Sequence, residues 1–179
     1  MSGNNVVVPP LSREKIRQVA NNIKSTLKLD HVDEFPIMDL FEKILPTVLK
    51  GYCYEVRDKS EMGENHGLAL PNEPLIILRS DVYEGACKGS GRDRFTVAHE
   101  IGHVLLHANV ALARTRRSVE PKQFELSEWQ ANTFAGELLG NANVAKESSN
   151  IHEFARRCGL SNPAAMVQFE QYRKSGLLK

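Results

Sequence analysis

The sequence has no long apolar run, no paired cysteine motif and almost no net charge. Its 23 Lys and Arg residues balance 22 Asp and Glu residues, which leaves a formal net charge of +1. Overall charge therefore provides no general attraction to nucleic acid. The apolar stretches are too short to cross a bilayer, and residues 1–5 lack the basic start and apolar core of a secretory signal. We expect a cytoplasmic protein without membrane contact.

Cysteine is also scarce. The sequence has an odd number of cysteines, Cys53, Cys87 and Cys158, and no two of them have C-x-x-C spacing. This pattern indicates neither a disulfide framework nor a cysteine zinc site, so we expect three reduced thiols that mainly serve in packing. A length of 179 residues with 41% hydrophobic and 25% charged residues fits one compact globular unit.

Histidine occurs six times, and two of the six lie in the run HEIGH at residues 99–103. In a helix, His99 and His103 lie one turn apart on one face, where both can bind the same metal ion. Glu100 projects about 100° away from His99 and is placed to hold a metal-bound water. Apolar residues flank the run at helical spacing. The pattern is typical of the helix that carries a zinc peptidase site.

A catalytic zinc needs a third protein ligand and an open position for water. His107 is the nearest candidate, but it lies about 12 Å along the helix from His99 and about 80° around it. We interpret His107 as a supporting or helix-capping residue. Residues 125–139 read as a second helix that offers three glutamates: Glu125, Glu128 and Glu137.

Glu128 is the favoured third ligand. Ala131 and Ala135 share its face of the helix, and such small residues allow a close approach to the histidine helix, whereas Glu137 points about 180° away. Asn132, one turn after Glu128, is placed to orient its carboxylate. Glu125 is the second choice, because a solvated charge near a helix N-terminus already explains it.

Two segments, RFTVAHEIGHVLLH at 94–107 and EWQANTFAGELL at 128–139, together resemble the ImmA/IrrE family of zinc metallopeptidases. The resemblance implies a zinc ion as cofactor. When the family's motifs are matched to this sequence, the resemblance implies that the zinc ligands are His99, His103 and Glu128 and that the catalytic base is Glu100. This agrees with the choice of Glu128 from helix geometry. The family's second motif usually ends in Leu-Met-Pro, and here Gly140 and Asn141 follow Leu139, so the sequence departs from the pattern in the next loop.

We predict an α+β fold: a mostly helical, zincin-like metallopeptidase domain with a small three-stranded antiparallel sheet and a C-terminal helical pair. A flexible tail is expected over residues 1–10, the metallopeptidase domain over 11–140, and the helical extension, packed on the domain, over 141–179. An edge strand beside a zinc cleft would suit an extended substrate. The predicted helices are 11–29 and 36–46, and the predicted strands are 51–56, 67–70 and 75–78.

The segment 150–169 reads as helix, turn, helix, with Ala155 and Gly159 at offsets seen in DNA-binding units. The whole chain is not basic, and proteins of the family that it resembles commonly end in a helical pair that packs on the catalytic domain. We therefore do not expect direct DNA binding. Local positive charge comes from Arg156, Arg157, Arg173 and Lys174. A further group, Arg114, Arg116 and Arg117, is interpreted as a solvated loop, with docking of an acidic partner as the alternative.

The chemistry predicted for the site is peptide hydrolysis, in which zinc activates a water molecule and Glu100 takes its proton. His66, Tyr83 and His107 are candidate donors to an oxyanion, and the linear sequence places none of them. The resemblance implies a regulatory endopeptidase that cleaves a helix-turn-helix (Xre-like) repressor as a stress, phage or mobile-element switch. The alternative is a partner-binding component of a toxin-antitoxin-like or repressor pair that acts by sequestration without cleavage. A His-His-Glu site also accepts manganese or iron in some settings.

Overall fold

The computed structural model describes residues 6–108 and 120–178. Within them the chain forms ten α-helices and one three-stranded sheet, which confirms the predicted α+β class. No helix in these two ranges combines the length and the apolar character needed to span a bilayer. Arg114, Arg116 and Arg117 lie outside the described residues.

The strands are β1 (Cys53–Arg57), β2 (Gly67–Leu70) and β3 (Leu75–Arg79). The helices are α1 (Arg13–Thr26), α2 (Ile37–Asp39), α3 (Leu45–Val48), α4 (Lys59–Met62), α5 (Ser80–Cys87), α6 (Gly91–Leu106), α7 (Ser127–Leu139), α8 (Ala142–Glu147), α9 (Ile151–Cys158) and α10 (Asn162–Lys174). A π-helical segment, Leu40–Ile44, joins α2 to α3, and a 3-10 turn, Gln123–Glu125, precedes α7.

The sheet is mixed, so the prediction of a purely antiparallel sheet was wrong. Its strand order is β1-β3-β2; β2 pairs with β3 antiparallel and β1 pairs with β3 parallel. Leu75, Ile76, Ile77 and Leu78 form a continuous apolar run that is largely buried, which favours the central position for β3. The chain reverses direction at β2 and again at β3, so β1 and β3 run the same way.

Helices α6 and α7 pack against each other at the centre of the molecule. Val97 and Ile101 of α6 and Phe134 and Leu138 of α7 are fully buried. The sheet and α5 cover α6, while α1 packs on α7. Because α6 is enclosed on several sides, even the polar side chains along it are largely buried.

A buried ion cluster joins α1 to α7. The carboxylate of Glu137 accepts hydrogen bonds from Arg17 at 2.9 Å and from Arg13 at 3.4 Å. Lys24 donates to the backbone oxygens of Glu137 at 2.9 Å and of Gly140 at 2.6 Å. Glu137 therefore holds the two helices together on the side of α7 that faces α1.

The start of the described chain is attached to the domain. Val7 forms an antiparallel bridge with Leu126, and the amide of Val6 donates to Ser127 Oγ at 3.1 Å. The Val8 side chain is buried. An apolar side chain and hydrogen bonds therefore hold residues 6–8 on the N-terminal end of α7.

The C-terminal helical pair packs on the rest of the domain. Phe154 of α9 and Tyr172 of α10 belong to the core. Arg94 of α6 donates to the backbone oxygens of Gly159 at 3.2 Å and of Phe35 at 2.8 Å, which ties the turn between α9 and α10 to α6. Arg157 is engaged in ion pairs within the domain. The local positive charge of this pair is thus partly neutralised.

The three cysteines differ in accessibility, which predicts their reactivity. Cys53 and Cys87 are exposed, whereas Cys158 is buried, and burial raises the pKa of the Cys158 thiol to about 11. The thiolate is the reactive form. A disulfide reagent added to the native protein should therefore modify two thiols rapidly, and the third only after unfolding.

The assignment is checked by single substitutions followed by the same titration. Cys53→Ser and Cys87→Ser should each remove one rapid equivalent, and Cys158→Ser should remove none. Rapid modification of Cys158 in the folded protein would contradict its position in the core.

Candidate metal centre

The two histidines of α6 and one glutamate of α7 face each other. His99 Nε2 and His103 Nε2 lie 3.0 Å apart. Glu128 Oε1 lies 3.1 Å from His103 Nε2, and Oε2 lies 3.4 Å from His99 Nε2. Among the residues the structure describes, these three form a group whose donor atoms are close enough to share one metal ion.

The donor atoms fit a tetrahedral zinc ion. Bonds of about 2.0–2.1 Å place neighbouring tetrahedral ligand atoms about 3.3 Å apart, close to the three separations in this group. Glu128 Oε1 is buried, and although it lies near His103 it accepts no well-aligned hydrogen bond from the described residues. Two imidazole nitrogens and an unsatisfied carboxylate oxygen that converge in this way suit a bound cation.

The glutamate reaches the histidines because α6 and α7 approach closely. A Cβ on Gly102 would lie 3.0 Å from Phe134 Cδ1 and 3.3 Å from the Cα of Ala131. Glycine at residue 102 and alanine at 131 thus remove the side chains that would hold the helices apart. The predicted contribution of Ala131 to this approach is seen in the structure, and Gly102 adds to it from the other helix.

Glu100 lies beside this group, the candidate metal-binding group, and is 6% exposed. Burial raises the pKa of its carboxyl to about 7; the charge of His103 opposes this shift and that of Glu128 adds to it. The Glu100 side chain packs on Gly67, where an added Cβ would lie 2.7 Å from Glu100 Cγ. Sequence reasoning missed Gly67, because its role depends on β2 lying against α6.

Each histidine has a hydrogen-bond partner on its other ring nitrogen. His99 Nδ1 lies 3.0 Å from Asn132 Oδ1. Asn132 thus contacts His99, and not the Glu128 carboxylate that we expected it to orient. His103 Nδ1 lies 3.1 Å from His107 Nδ1. Burial lowers the pKa of His107 to about 4.

The other two glutamates of the second motif lie elsewhere. Glu137 belongs to the ion cluster with α1. Glu125 accepts a hydrogen bond from the Lys122 amide at 2.9 Å in the turn before α7. Contacts with the His103 and His99 imidazoles hold the pKa of Glu128 well below its usual range, so its carboxylate stays ionised.

The remaining candidate donors have other contacts. His66 contacts Arg79 at 2.9 Å through Nδ1 and Arg92 at 3.2 Å through Nε2. Tyr83 donates its hydroxyl to Glu42 at 2.5 Å. The structure does not bring either residue into the group formed by the two histidines and Glu128.

A cleft of about 650 Å³ lies between α6, α7 and α10. Its walls include Phe95, Trp129, Val167, Arg13 and Arg92, and no carboxylate among the described residues lines it. Asn132 also lines the cleft and connects it to the metal-binding group through His99. The cleft is thus adjacent to the group and combines apolar walls with positive charge.

Helix α6 with its H-E-x-x-H run and α7 with its facing glutamate have the layout of a metallopeptidase core. The chain belongs to the family of IrrE N-terminal-like domains, Peptidase_M78, whose model matches residues 32–161. This confirms the resemblance and supports a metallopeptidase-type function. The matched region includes the sheet and both helices of the site. A comparison with curated proteins found no match.

Replacing two glutamates of α7, one at a time, should separate the effect on metal binding from the effect on stability. Glu128→Gln removes a carboxylate from the donor group and should weaken zinc or cobalt binding at least about 100-fold, more than loss of a supporting contact costs. Glu137→Gln leaves Arg13 and Arg17 with a weaker partner and should lower the free energy of unfolding by about 1–3 kcal/mol while metal affinity is kept. Calorimetric metal titration and denaturant unfolding measure the two effects. Equal metal affinities in the two variants would refute the assignment of Glu128.

The contact between Gly67 and Glu100 predicts a measurable coupling. Gly67→Ala forces a Cβ into the Glu100 side chain and should cost about 1–3 kcal/mol of stability. In a Glu100→Ala background the same change should cost little, because the clashing atoms are absent. Denaturant unfolding of the four proteins gives the coupling energy, with Leu70→Ala, an exposed position on β2, as a control that should show none. Additive effects of the first pair would mean that Gly67 does not support Glu100.

Proposed function

We propose that this protein is a zinc-dependent endopeptidase in which His99, His103 and Glu128 hold the metal and Glu100 is the catalytic base. The convergence of three donor atoms at 3.0–3.4 Å beside a buried carboxylate carries this proposal. When bound, zinc supplies Lewis acidity toward a carbonyl and makes a water molecule acidic enough to attack at neutral pH.

The protein's own residues would position and move the proton. Glu100 is buried, and its side chain is confined by Gly67 on β2. A carboxylate held in this way is suited to take a proton from the attacking water and to return it to the leaving amine. His99 and His103 remain neutral metal ligands when their Nδ1 atoms carry the proton.

Strand β2 is the proposed docking edge for an extended substrate. It forms one edge of the sheet, and among the described residues it pairs with β3 alone. Its first residue, Gly67, lies against Glu100. A substrate backbone added along β2 would therefore pass next to the proposed base, as in other recognition modes that add a strand.

The proposed substrate is a helix-turn-helix (Xre-like) repressor, cleaved as a stress, phage or mobile-element switch. The family resemblance is the source of this proposal. The cleft beside the metal-binding group supports a polypeptide substrate, because its volume suits several side chains and its walls offer aromatic surface at Phe95 and Trp129.

Sequestration of a partner without cleavage is the second candidate. Met166 and Val167 of α10 are large apolar side chains that are 54% and 61% exposed, which favours contact with another protein. A site that only bound metal for structural reasons would need no base, so the position of Glu100 favours the peptidase.

Co-expression with the helix-turn-helix regulator encoded nearest to the gene tests cleavage. The wild-type protein should cut the regulator once, and Glu100→Gln should leave it intact while retaining zinc. Glu128→Ala should lose both activity and metal. Intact mass spectrometry of the regulator and metal analysis of the purified protein provide the readouts, with Glu84→Gln on the exposed side of α5 as an active control.

Binding is measured separately from cleavage. Trp129 is the chain's single tryptophan and lines the cleft, so its fluorescence should change when the regulator is titrated into the Glu100→Gln protein. A regulator that binds with this signal but is never cut by the wild type would contradict the peptidase proposal and support sequestration.

A further inference from the structure

A buried chain of hydrogen bonds leads from the N-terminal segment to one of the metal-binding histidines. Gln130 Nε2 lies 2.8 Å from the backbone oxygen of Pro9 and 2.8 Å from that of Phe124. Gln130 Oε1 lies 3.1 Å from His107 Nε2. His107 Nδ1 lies 3.1 Å from His103 Nδ1. These hydrogen bonds thus connect three separate parts of the sequence.

The groups in this chain of hydrogen bonds are buried, so each of them needs a protein partner. Gln130 is completely buried, and His107 is 6% exposed. A polar group without access to water must be satisfied by protein partners, and leaving one unpaired destabilises the folded state.

The direction of each hydrogen bond follows from the chemistry of the groups. Two backbone oxygens are acceptors, so both must receive N–H groups from Gln130, which identifies its nitrogen and leaves its oxygen to face His107. This oxygen accepts a hydrogen bond, and His107 must therefore carry its proton on Nε2. A neutral imidazole has one N–H, so His107 Nδ1 is an acceptor.

The hydrogen bond between His107 and His103 determines which ring nitrogen of His103 carries the proton. An acceptor at His107 Nδ1 requires that His103 donate from its own Nδ1, and in a neutral imidazole this leaves the lone pair on His103 Nε2. That atom faces His99 and Glu128. The hydrogen-bond chain thus favours the form of His103 that a metal ion needs, with the lone pair on Nε2.

We propose that Gln130 and His107 are positioning residues that fix the protonation pattern of His103 and prepare it for the metal. Pro9 and Phe124 hold Gln130 in the required orientation, so the N-terminal segment and the turn before α7 take part in preparing the site. This inference rests on the proposed function only in taking His103 as a metal ligand.

The test begins with the metal-free, full-length wild-type protein. Long-range ¹H–¹⁵N NMR of the histidine rings at mildly alkaline pH reports which nitrogen carries the proton. We expect His103 with its proton on Nδ1 and His107 with its proton on Nε2. A proton on Nε2 of His103 with Nδ1 unprotonated would overturn the proposal, whether or not the protein proves to be a peptidase, because this measurement involves neither metal nor substrate.

Two substitutions at Gln130 then separate positioning from packing. Gln130→Leu removes the acceptor, so the proton should distribute over both nitrogens of His107 and His103, and zinc affinity should fall about 10–100-fold. Gln130→Glu keeps an oxygen toward His107 but loses both N–H donors to Pro9 and Phe124, so compared with Gln130→Leu it should return the proton positions only part of the way toward wild type, at a cost in stability.

Gln168→Leu is the matched control, because Gln168 is another buried glutamine, 2% exposed, on α10. It should lower stability without changing the histidine spectra or the metal affinity. If Gln130→Leu behaves like Gln168→Leu in all three measurements, Gln130 is a packing residue and the proposal fails.

Discussion

The close approach of α6 and α7 is the constraint on which the site depends. Glycine at residue 102 and alanine at 131 leave room for the two backbones, and Phe134 packs at the same point. This contact brings Glu128 within 3.1–3.4 Å of the two histidines one helix away. Without it, the metal-binding group would lose its third member, because a carboxylate side chain cannot span a larger gap between helices.

The surroundings of this contact turn a group of donors into an organised site. Strand β2 brings Gly67 against Glu100, and burial on that side raises the pKa of the Glu100 carboxyl. On the opposite side of α7, the buried carboxylate of Glu137 secures α1. On this same face of α7, two turns before Glu137, Gln130 donates to the backbone oxygen of Pro9 in the N-terminal segment. Helix α7 therefore carries the proposed metal ligand Glu128 on one face, and the structural Glu137 and the proposed positioning residue Gln130 on the opposite face.

Helical periodicity made much of the site predictable. His99, His103 and Glu128 follow from the spacing within two helices, and the same angular argument separates Glu128 from Glu137. Long-range contacts were harder to foresee. The parallel pairing of β1 depends on which strand occupies the centre of the sheet, and the partner of Asn132 depends on the rotation of α7 against α6.

By itself, the sequence determined the helices that carry the site, the residues that converge on it and the family to which the chain belongs. These properties depend on short spacings, since a helix places residues four apart on one face whatever lies around it. Tertiary structure alone decided that Gly67 lies against Glu100, that β2 forms an edge beside this proposed base and that Gln130 connects Pro9 to His107. Such contacts join residues far apart in the chain. They arise from the packing of whole helices and strands, which local sequence patterns do not specify.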